Sequence, residues 1–220
     1  MPTLSGMRRR GFTPNSIRTF LDKVGISKRE TIIDYELLEH CVREDLNKTA
    51  ERRFAIFDPL KLKILNLDDK TMIETRAVNN PEDEKAGHRR LLFTNDIWIE
   101  RDDFREEANR KYNRLVPGRF VRLKYGFIVE CVGCKKDDDG NIIEVHCNYI
   151  PESKSGEDTS GIKPKGTIHW IASNYCHDIK VRLYDKLFTE EDPSKLDNFL
   201  DAYNTESFTE IDSIMIVTII

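Results

Sequence analysis

The stretch RDDFREEANRKYNRLVPGRFVRLK, residues 101–124, contains eight basic and four acidic residues. Its apolar residues recur at helical spacing, and they are Phe104, Ala108, Tyr112 and Leu115. This spacing predicts a helix with one buried face, which ends before Pro117 and Gly118 because these residues do not continue a helix. Basic and amide side chains then project elsewhere, and they are Arg110, Lys111, Asn113 and Arg114.

The residues that follow predict a β-strand. Side chains alternate between the two faces of a strand, so Arg122 and Lys124 share one face while Val121 and Leu123 share the other. Guanidinium, ammonium and amide groups near an aromatic ring suit unstacked RNA bases, which need donors for phosphates and base edges and a flat ring for stacking. A solvated basic face is the alternative, because a basic run often has no other role.

The size and charge of the chain limit its class. A chain of 220 residues buries one sizeable core or two small ones. Its formal net charge of -4 argues against a protein that coats nucleic acid without selectivity. The charge is uneven, however, because residues 185–212 hold nine acidic and only two basic residues. Binding of nucleic acid by a local basic patch is therefore compatible with the composition.

The cysteines and the N-terminus predict a reduced, cytoplasmic protein. The five cysteines have no regular spacing, and the first residues lack the apolar segment of a signal peptide. No apolar run approaches the ~20 residues that span a bilayer, so no membrane association is expected. A zinc site is one interpretation of Cys131, Cys134, His146 and Cys147. Because residues three apart on a regular strand point to opposite faces, we favour ordinary thiols and expect no metal.

Two helices are predicted before residue 49. The first has Thr13 as its cap and ends at Gly25. The second has Asp34 as its cap. The apolar face of the first helix consists of Ile17, Phe20, Leu21 and Val24, and that of the second consists of Leu37, Leu38, Cys41, Val42 and Leu46. Residues 26–30 join the helices as a polar, partly basic corner.

After Thr49 the sequence predicts strands. Short runs rich in β-branched and aromatic residues, separated by turn residues, are typical of antiparallel barrels or sandwiches. The runs are RFAIF, LKLKIL, LLF, IWIE, RFVRLKYGFIVECV, IIEVHCNYI, GTIHWIAS and IKVRLY. Residues 137–141 predict a hairpin turn, residues 151–166 a long polar hairpin loop, and residues 195–202 a helix.

Five segments, in the same order, closely resemble the C-terminal half of bacterial-type glutaminyl-tRNA synthetase, a class I aminoacyl-tRNA synthetase. They are PTLSGMRRRGFTPNSIRTF, CVREDLNKTAERRFAIFDPLKLKI, IWIERDDFREEANRKYNRLVPG, KGTIHWIAS and VRLYDKLF. The resemblance implies a mainly β protein with an N-terminal α-helical subdomain. The β part would consist of antiparallel β-barrels that bind the anticodon loop of tRNA.

The resemblance also implies a division of the chain. Residues 1–48 would form the helical, tRNA-contacting subdomain, residues 49–150 the proximal barrel, and residues 151–220 a partial, incomplete distal barrel with a divergent tail. The resemblance fades after Glu206, and the apolar stretch FTEIDSIMIVTII, residues 208–220, does not resemble the family. We expect this tail to pair with an open strand edge or to promote aggregation.

Part of the family sequence is missing. Neither a HIGH-type nor a KMSKS-type signature occurs, and these hold ATP in this class of synthetase. We therefore expect a portion of a longer parent that lacks the catalytic domain and is inactive alone. The resemblance implies ATP and magnesium as cofactors of the parent and none in this chain. Its expected partners are glutamine-acceptor tRNA and the catalytic domain, with the chain itself monomeric.

Site residues follow from the resemblance by position. Asn47 and Arg52 match residues that contact the anticodon at the junction of the second helix and the first strand. The other matched positions are Lys28 and Arg29 at the inner tRNA surface, Lys111, Tyr112, Asn113 and Arg114 at the anticodon, and the basic pair Arg122 and Lys124. At positions 111, 113 and 124 the residue type departs from the family, and a lysine lacks the planar fork of an arginine. Structural ion pairs, of Arg52 with Glu51 or Glu44 and of Arg114 with Glu107, are the alternative roles.

Other functions fit parts of the sequence. The same region of a glutamyl-tRNA synthetase shares the barrel architecture. A freestanding RNA-binding barrel, similar in fold to a ribosomal 5S RNA-binding protein, or an interaction domain without an RNA role, would explain the strands but not the N-terminal helices. An autonomous enzyme is disfavoured because no constellation of nucleophile, metal ligands or phosphate-binding residues is recognisable.

Overall fold

The computed structural model describes residues 3–29 and 31–216. Met1, Pro2, Glu30 and the last four residues of the predicted tail, 217–220, lie outside the described residues. The chain divides into two compact units. The first, termed the helical unit, comprises Met1–Arg52 with Val78–Gly87, and the second, termed the β unit, comprises Arg53–Ala77 with His88–Ile220. The predicted boundary between two barrels at residues 150 and 151 stays a prediction.

The helical unit contains α1 (Leu4–Arg9), α2 (Pro14–Val24) and α3 (Tyr35–Thr49). The predicted bounds and caps of α2 and α3 are confirmed. Thr13 Oγ1 accepts a hydrogen bond from the backbone of Ser16, and Asp34 accepts one from Glu36, so both helices begin at capped residues. Helix α1 was not among the two predicted helices, although Thr3 caps it in the same way. None of the described helices combines the length and the apolar character needed to cross a membrane.

The contact between α2 and α3 is partly polar. Leu38 and Cys41 are buried on α3, as predicted, but Leu21 of the predicted apolar face on α2 is 58% exposed. The Thr13 hydroxyl donates to the Asp45 carboxylate over 2.6 Å, which ties the start of α2 to α3. This hydrogen bond, with one from Asn15, lowers the pKa of Asp45. Polar contacts therefore supplement a small apolar interface.

The β unit contains most of the strands, which confirms a mainly β protein with an N-terminal helical region. Ten of the strands described overlap the predicted runs, β3 was missed, and β12 lies in the tail that was expected to pair with a strand edge. The bounds are β1 Ala55–Ile56, β2 Pro59–Ile64, β3 Ile73–Val78, β4 His88–Phe93, β5 Asp96–Glu100, β6 Phe120–Leu123, β7 Ile128–Lys136, β8 Ile142–Ile150, β9 Thr167–Ile168, β10 Ile171–Ala172, β11 Cys176–Tyr184 and β12 Phe208–Ile216.

Seven strands form one curled sheet in the order β10-β5-β2-β8-β7-β6-β9. Four of the six neighbouring pairs are antiparallel, as predicted, while β2 with β8 and β6 with β9 are parallel. The two border strands, β9 and β10, are separated only by His169 and Trp170. The sheet must therefore curve until its two borders approach each other.

The core of the β unit lies inside this curve. Alternate residues of β2 are buried, namely Leu60, Leu62 and Ile64. The buried Trp170 ring packs edge-on against Phe93 with a centroid separation of 5.5 Å, and its indole nitrogen donates to the backbone oxygen of Lys124 over 3.0 Å. Burial of each such side chain stabilises the fold by about 1.5–3 kcal/mol.

The segment 151–166 is not a hairpin loop, which corrects the prediction. A hairpin loop joins neighbouring strands, but β8 neighbours β2 and β7 while β9 neighbours β6. The segment therefore crosses β7 and β6 to reach the border of the sheet. Its start is fixed by Ser153, whose buried hydroxyl oxygen accepts a hydrogen bond of 2.7 Å from the backbone of Ile128.

The C-terminal part forms a three-stranded antiparallel sheet in the order β1-β12-β11. The prediction that the apolar tail pairs with a strand edge is confirmed for residues 208–216, because β12 lies between β1 and β11. The predicted helix at residues 195–202 is wrong. Two short 3-10 turns, Pro193–Lys195 and Phe199–Ala202, occur instead, and the Asn198 side chain caps the second by accepting from the backbone of Leu200.

Candidate nucleic-acid interface

Residues 104–119 form a loop, so the predicted helix in this stretch is wrong. The backbone of Arg105 donates to Leu115 over 3.1 Å, and that of Leu115 donates to Asp103 over 3.0 Å. Phe104 and Leu115 are buried as a β-bridge that closes the base of the loop. Backbone groups at its two ends thus bond to each other rather than along a helix. Two of the four apolar residues that suggested a helical face, Phe104 and Leu115, instead pair with each other to close the loop.

Tyr112 holds the loop together from inside. Its hydroxyl donates to the backbone oxygen of Asp102 over 2.8 Å, and its own backbone oxygen accepts from the Arg119 guanidinium over 3.0 Å. The Arg105 guanidinium carbon lies 4.7 Å from the ring centroid, which is a cation–π contact. Burial raises the pKa of the Tyr112 hydroxyl. Arg105 therefore covers one face of the Tyr112 ring, the aromatic ring that the sequence indicated for base stacking.

Arg114 is oriented by a buried carboxylate. Its Nε lies 3.1 Å from Oδ1 of Asp103, and the side chains of Arg114 and Asp103 are 51% and 7% exposed respectively. Burial raises the pKa of Asp103, although the positive charge of Arg114 opposes this shift. The predicted pair of Arg114 with Glu107 is replaced by this contact. About half of the Arg114 side chain is still exposed to solvent, where it can donate to a ligand.

A cationic cleft of about 400 Å³ opens between the 104–119 loop and the end of the 151–166 segment. Five of its eleven lining residues are basic and none is acidic. The lining residues are Arg110, Tyr112, Asn113, Arg114, Gly118, Arg119, Phe120, Ile162, Lys163, Pro164 and Lys165. An anion that enters the cleft would find several donors, together with the Phe120 side chain as an apolar surface.

Sequence reasoning missed Lys163 and Lys165 in this cleft. Both side chains are exposed. The Lys-Pro-Lys run next to Gly166 was the available signal, but the segment was interpreted as a long polar hairpin loop. A side chain at Gly166 would place its Cβ only 1.6 Å from the backbone oxygen of Asn113. Glycine therefore permits the close approach of the two segments that forms the cleft.

Arg122 holds the 151–166 segment. Its Nη1 donates to the backbone oxygen of Ser153 over 2.9 Å, its Nη2 pairs with the Asp158 carboxylate, and its backbone nitrogen donates to Gly166. Hydrogen bonds from Ser160 and the pair with Arg122 lower the pKa of Asp158. The Arg122 side chain is 21% exposed and does not line the cleft. Its contacts are with the segment that presents the two lysines.

Two remaining candidates of the β unit, Lys111 and Lys124, do not line the cleft. Lys124 is exposed just beyond β6, and its Nζ lies 5.7 Å from the centroid of the Tyr125 ring. Lys111 is exposed in the 104–119 loop, and its backbone donates to the Asn109 side chain over 3.0 Å. Of the predicted residues, the structure brings Tyr112, Asn113 and Arg114 together around the cleft.

A second cavity, of about 290 Å³, has the opposite character. It is lined by three carboxylates together with Arg114 and His169, and the carboxylates belong to Glu100, Asp102 and Asp103. Arg114 thus lies between an acidic cavity and the cationic cleft. His169 Nε2 lies 3.1 Å from the backbone oxygen of Ala55, which is a contact within the β unit.

The helical unit holds Asn47 and Arg52 in direct contact. Arg52 Nη2 donates to the backbone and side-chain oxygens of Asn47 over 3.1 and 3.2 Å. Its Nη1 lies 3.4 Å from the carbonyl oxygens of Leu46 and Ala50. The guanidinium group thus adds hydrogen bonds to carbonyl groups at the end of α3, where the Leu46 oxygen also accepts from the backbone of Ala50 over 2.8 Å. Glu44, one of the two alternative partners considered for Arg52, bonds to Lys23 over 2.9 Å.

Lys28 and Arg29 are exposed in the connection between α2 and α3. The backbone of Arg29 donates to the Ser27 hydroxyl over 3.1 Å, which shapes this corner. Both residues belong to the helical unit, as do Asn47 and Arg52, whereas the cleft belongs to the β unit.

The cysteines show no metal cluster. Among residues 3–29 and 31–216, no group of three or more His, Cys, Asp or Glu side chains is placed to hold a metal ion. The argument from opposite strand faces does not hold, however. A β-bulge interrupts β7 between Cys131 and Gly133, and the half-buried Cys134 packs against the same core as Cys131.

Two sequence models of one family match the chain. Both are described as the anti-codon binding domain of class I tRNA synthetases (E and Q), and they match residues 50–150 and 167–218. The first match includes the whole 104–119 loop. The second match extends to residue 218, so the expectation that the family resemblance ends near Glu206 is wrong.

Curated relatives match along nearly the whole chain. The chain is 50% identical over 214 residues to the glutamine–tRNA ligase of Rhodopirellula baltica, 46% over 213 residues to that of Bordetella avium and 44% over 211 residues to that of Vibrio cholerae. Each match covers 96% of this chain but only 36–38% of the relative. The two family matches together cover more than half of the chain, which therefore belongs to the anticodon-binding domain family of the class I tRNA synthetases for E and Q.

Proposed function

We propose that this chain is the tRNA anticodon-binding portion of a glutamine–tRNA ligase and that it binds the anticodon loop of glutamine-acceptor tRNA. The observation that carries the proposal is the cationic cleft beside Tyr112, Asn113 and Arg114. It lies in a chain that is similar to glutamine–tRNA ligases over 96% of its length.

The chemistry of the cleft fits single-stranded RNA. Anticodon bases can be splayed apart and read on their Watson–Crick edges by arginine and amide donors. Arg114, held by Asp103, supplies an oriented guanidinium, and Asn113 supplies an amide. Lys163, Lys165 and Arg110 supply the positive charge that phosphates need. Phe120 offers an apolar surface for a base.

The helical unit would supply further contacts to the same tRNA. Asn47 is exposed, and its side-chain oxygen accepts from Arg52, so the amide nitrogen is the group offered to RNA. Lys28 and Arg29 are exposed cations at one corner of this unit. Arg122 and Lys124 complete the proposed set, with Arg122 acting through the segment that it holds.

The proposal extends to the parent protein. By analogy with the relatives named as ligases, the parent would attach glutamine to its tRNA with ATP and magnesium, in the cytoplasm. A catalytic domain would then be the partner of this chain within the parent. We further propose that the chain is monomeric, which light scattering tests directly.

The test is binding of the chain to glutamine-acceptor tRNA and to the same tRNA with altered anticodon bases, at one fixed salt concentration. We expect Arg114→Ala to weaken binding to the cognate anticodon by about 10- to 100-fold, because one good arginine–base contact contributes about 1–3 kcal/mol. Arg90→Ala is the matched control, since Arg90 is 54% exposed and pairs with Glu74 over 2.8 Å but does not line the cleft.

Three results would contradict the proposal in different ways. Equal binding to every anticodon by the folded chain would favour a freestanding RNA-binding barrel. Preference for glutamate-acceptor tRNA would favour a glutamyl-tRNA synthetase, which the family description also includes. Equal losses of tRNA affinity in Arg114→Ala and Arg90→Ala would mean that the cleft does not contact tRNA.

A further inference from the structure

Cys131 on β7 and Cys147 on β8 lie directly opposite each other in an antiparallel pair. The backbone of Cys131 bonds away from β8, since its nitrogen donates to Arg119 over 3.1 Å and its oxygen accepts from Gly118 over 2.7 Å. The oxygen of Cys147 accepts from Leu65 over 2.8 Å, which points away from β7. The cysteines are therefore a non-hydrogen-bonded pair, in which Cα atoms lie about 4.5 Å apart and side chains approach most closely.

We propose that Cys131 and Cys147 are a redox pair that forms a reversible cross-strand disulfide on exposure to a hydroperoxide. The expected Cα separation of about 4.5 Å falls in the range of about 4.4–6.8 Å that disulfides use. Both residues are free thiols, and both are fully buried in the core. No backbone rearrangement is needed to join them.

The reaction has two steps. The thiolate of Cys131 attacks one oxygen of hydrogen peroxide, the O–O bond breaks, and Cys131 becomes a sulfenic acid while hydroxide takes up a proton to leave as water. The sulfur of Cys147 then attacks the Cys131 sulfur, the S–S bond forms, and the second water leaves. The two thiols together lose two electrons and two protons, and the peroxide is reduced to two molecules of water.

The environment distinguishes the two sulfur atoms. The hydrogen bond from the Cys147 thiol lowers the pKa of Cys131, whereas this contact and burial raise the pKa of Cys147. The thiolate is the nucleophile, and the β-bulge lies on the strand of Cys131, directly after this residue. Cys131 is therefore the residue that reacts first, and Cys147 is the one that resolves the sulfenic acid.

The bulge provides the route of entry. It interrupts the ladder immediately after Cys131, and Val132 in the bulge is 46% exposed. A bulge leaves a residue unpaired and disrupts the local hydrogen bonds, so a small oxidant can reach the sulfur there. Cys134, the other cysteine of the C-x-x-C run, lies opposite Val145 in the ladder, and its Sγ is 3.7 Å from the Glu106 carboxylate. Because Cys134 does not face Cys131 across the strands, it is a poorer partner than Cys147.

The test is treatment of the whole chain with hydrogen peroxide, followed by alkylation and peptide mapping without reductant. We expect a linked peptide pair containing Cys131 and Cys147, a fall in free thiols from five to three, and reversal by dithiothreitol. The melting temperature should rise by about 5–10 °C, because the crosslink restricts the unfolded chain. The Cys134→Ser variant is the matched control and should form the same link.

Two further results decide the proposal. In Cys147→Ser, the link should disappear, and dimedone should label Cys131 as a sulfenic acid. A link between Cys131 and Cys134, oxidation to sulfonic acid without any link, or an unchanged thiol count would each overturn it. The outcome is independent of tRNA binding, so failure of one proposal leaves the other unaffected.

Discussion

Asp103 combines two opposing influences at one residue. It is buried, which disfavours its charge, and it pairs with Arg114, which favours its charge. The net shift raises the pKa of Asp103 above its ordinary value of 3.8, so burial outweighs the pair. The charged form of Asp103 therefore costs stability. The same carboxylate orients the Arg114 guanidinium, which we propose contacts a base.

This shift predicts a pH dependence of stability. The folded state binds a proton at Asp103 more tightly than the unfolded state does. The contribution of this group to stability is therefore most favourable below pH 3.8, decreases as the pH rises through the raised pKa, and is constant above it. We expect the difference in the free energy of unfolding between the wild type and Asp103→Asn to decrease across this range, as measured by urea unfolding at a series of pH values.

The same difference should fall more steeply when both proteins also carry Arg114→Ala, because the opposing attraction is then gone. A difference that increases with pH would mean that the ion pair, rather than burial, controls Asp103.

Gly166 is required by space rather than by backbone conformation. Replacement with alanine would bring Cβ to 1.6 Å from the Asn113 backbone oxygen, so the two segments must separate. We expect Gly166→Ala to destabilise the chain by about 1–3 kcal/mol, as overpacking typically does, and to weaken tRNA binding because Lys163 and Lys165 move. Gly133→Ala is the control, since no atom lies within 4 Å of its added Cβ. Chemical denaturation and tRNA titration measure both effects, and equal behaviour of the two variants would exclude the steric explanation.

Helices whose cap and apolar stripe both lie in their own sequence were predicted correctly. Loops and strands that form only through contacts with residues distant in sequence were not. Helices α2 and α3 carry an N-cap side chain and an apolar stripe in their own sequence. The 104–119 loop mimics this apolar pattern, but its closure depends on a bridge between Phe104 and Leu115. Strand β3 was missed because its sequence, IETRAV, mixes charged and small residues, and only its pairing with β4 makes it a strand.

The end of α3 offers a prediction for Arg52, which carries both a structural and a proposed binding role. Removal of its guanidinium leaves the carbonyls of Leu46, Asn47 and Ala50 with fewer donors. We expect Arg52→Ala to reduce stability by about 1 kcal/mol and to speed hydrogen exchange in the last turn of α3. Arg43→Ala is the control, because Arg43 is exposed within the same helix.

The two roles of Arg52 can be separated. Arg52→Lys keeps the charge but loses the planar fork, so it should bind tRNA more weakly than the wild type even where the helix end remains protected from exchange. Exchange rates in Arg52→Ala equal to those of Arg43→Ala would show that the guanidinium does not stabilise the helix end.

For the molecule as a whole, composition and resemblance predicted the class of fold and named three residues that line the cleft, but they did not predict the connections. The parallel pairing of β2 with β8 joins strands far apart in sequence, and no local pattern encodes it. Likewise, the segment Val78–Gly87 belongs to the helical unit although it lies between two strands of the β unit. Lys163 and Lys165 reach the cleft only because the 151–166 segment crosses the sheet, so their proximity to Arg114 could not be inferred from spacing.

The distribution of charge over the molecule predicts how binding responds to salt. The chain has a formal net charge of -4, so we expect its affinity for tRNA to depend on a few local cations. Each phosphate contact to single-stranded RNA contributes about 0.7 to the slope of log affinity against log salt concentration. We expect Lys163→Ala and Lys165→Ala each to reduce the slope by about 0.7. Lys180→Ala should leave it unchanged, because Lys180 lies on β11 and pairs with Glu210. A slope that responds equally to all three variants would indicate a diffuse interaction with the whole surface.

Because β9 and β10 form the two borders of the seven-stranded sheet and are joined by two residues, the ribosome must add both strands before the sheet is complete. Strand β5 ends at Glu100, and its outer neighbour β10 ends at Ala172, which the ribosome adds 72 residues later. At about 5–20 residues per second, this interval lasts about 4–14 s. Throughout that time the nascent chain can pair β2 with β5, but it cannot add β10 to the sheet. The backbone edge of β5 that later pairs with β10 therefore remains exposed. A chaperone that binds the nascent chain in this interval would protect the exposed edge of β5 from pairing with other chains. Slow translation between these strands would lengthen the time for which this edge is exposed.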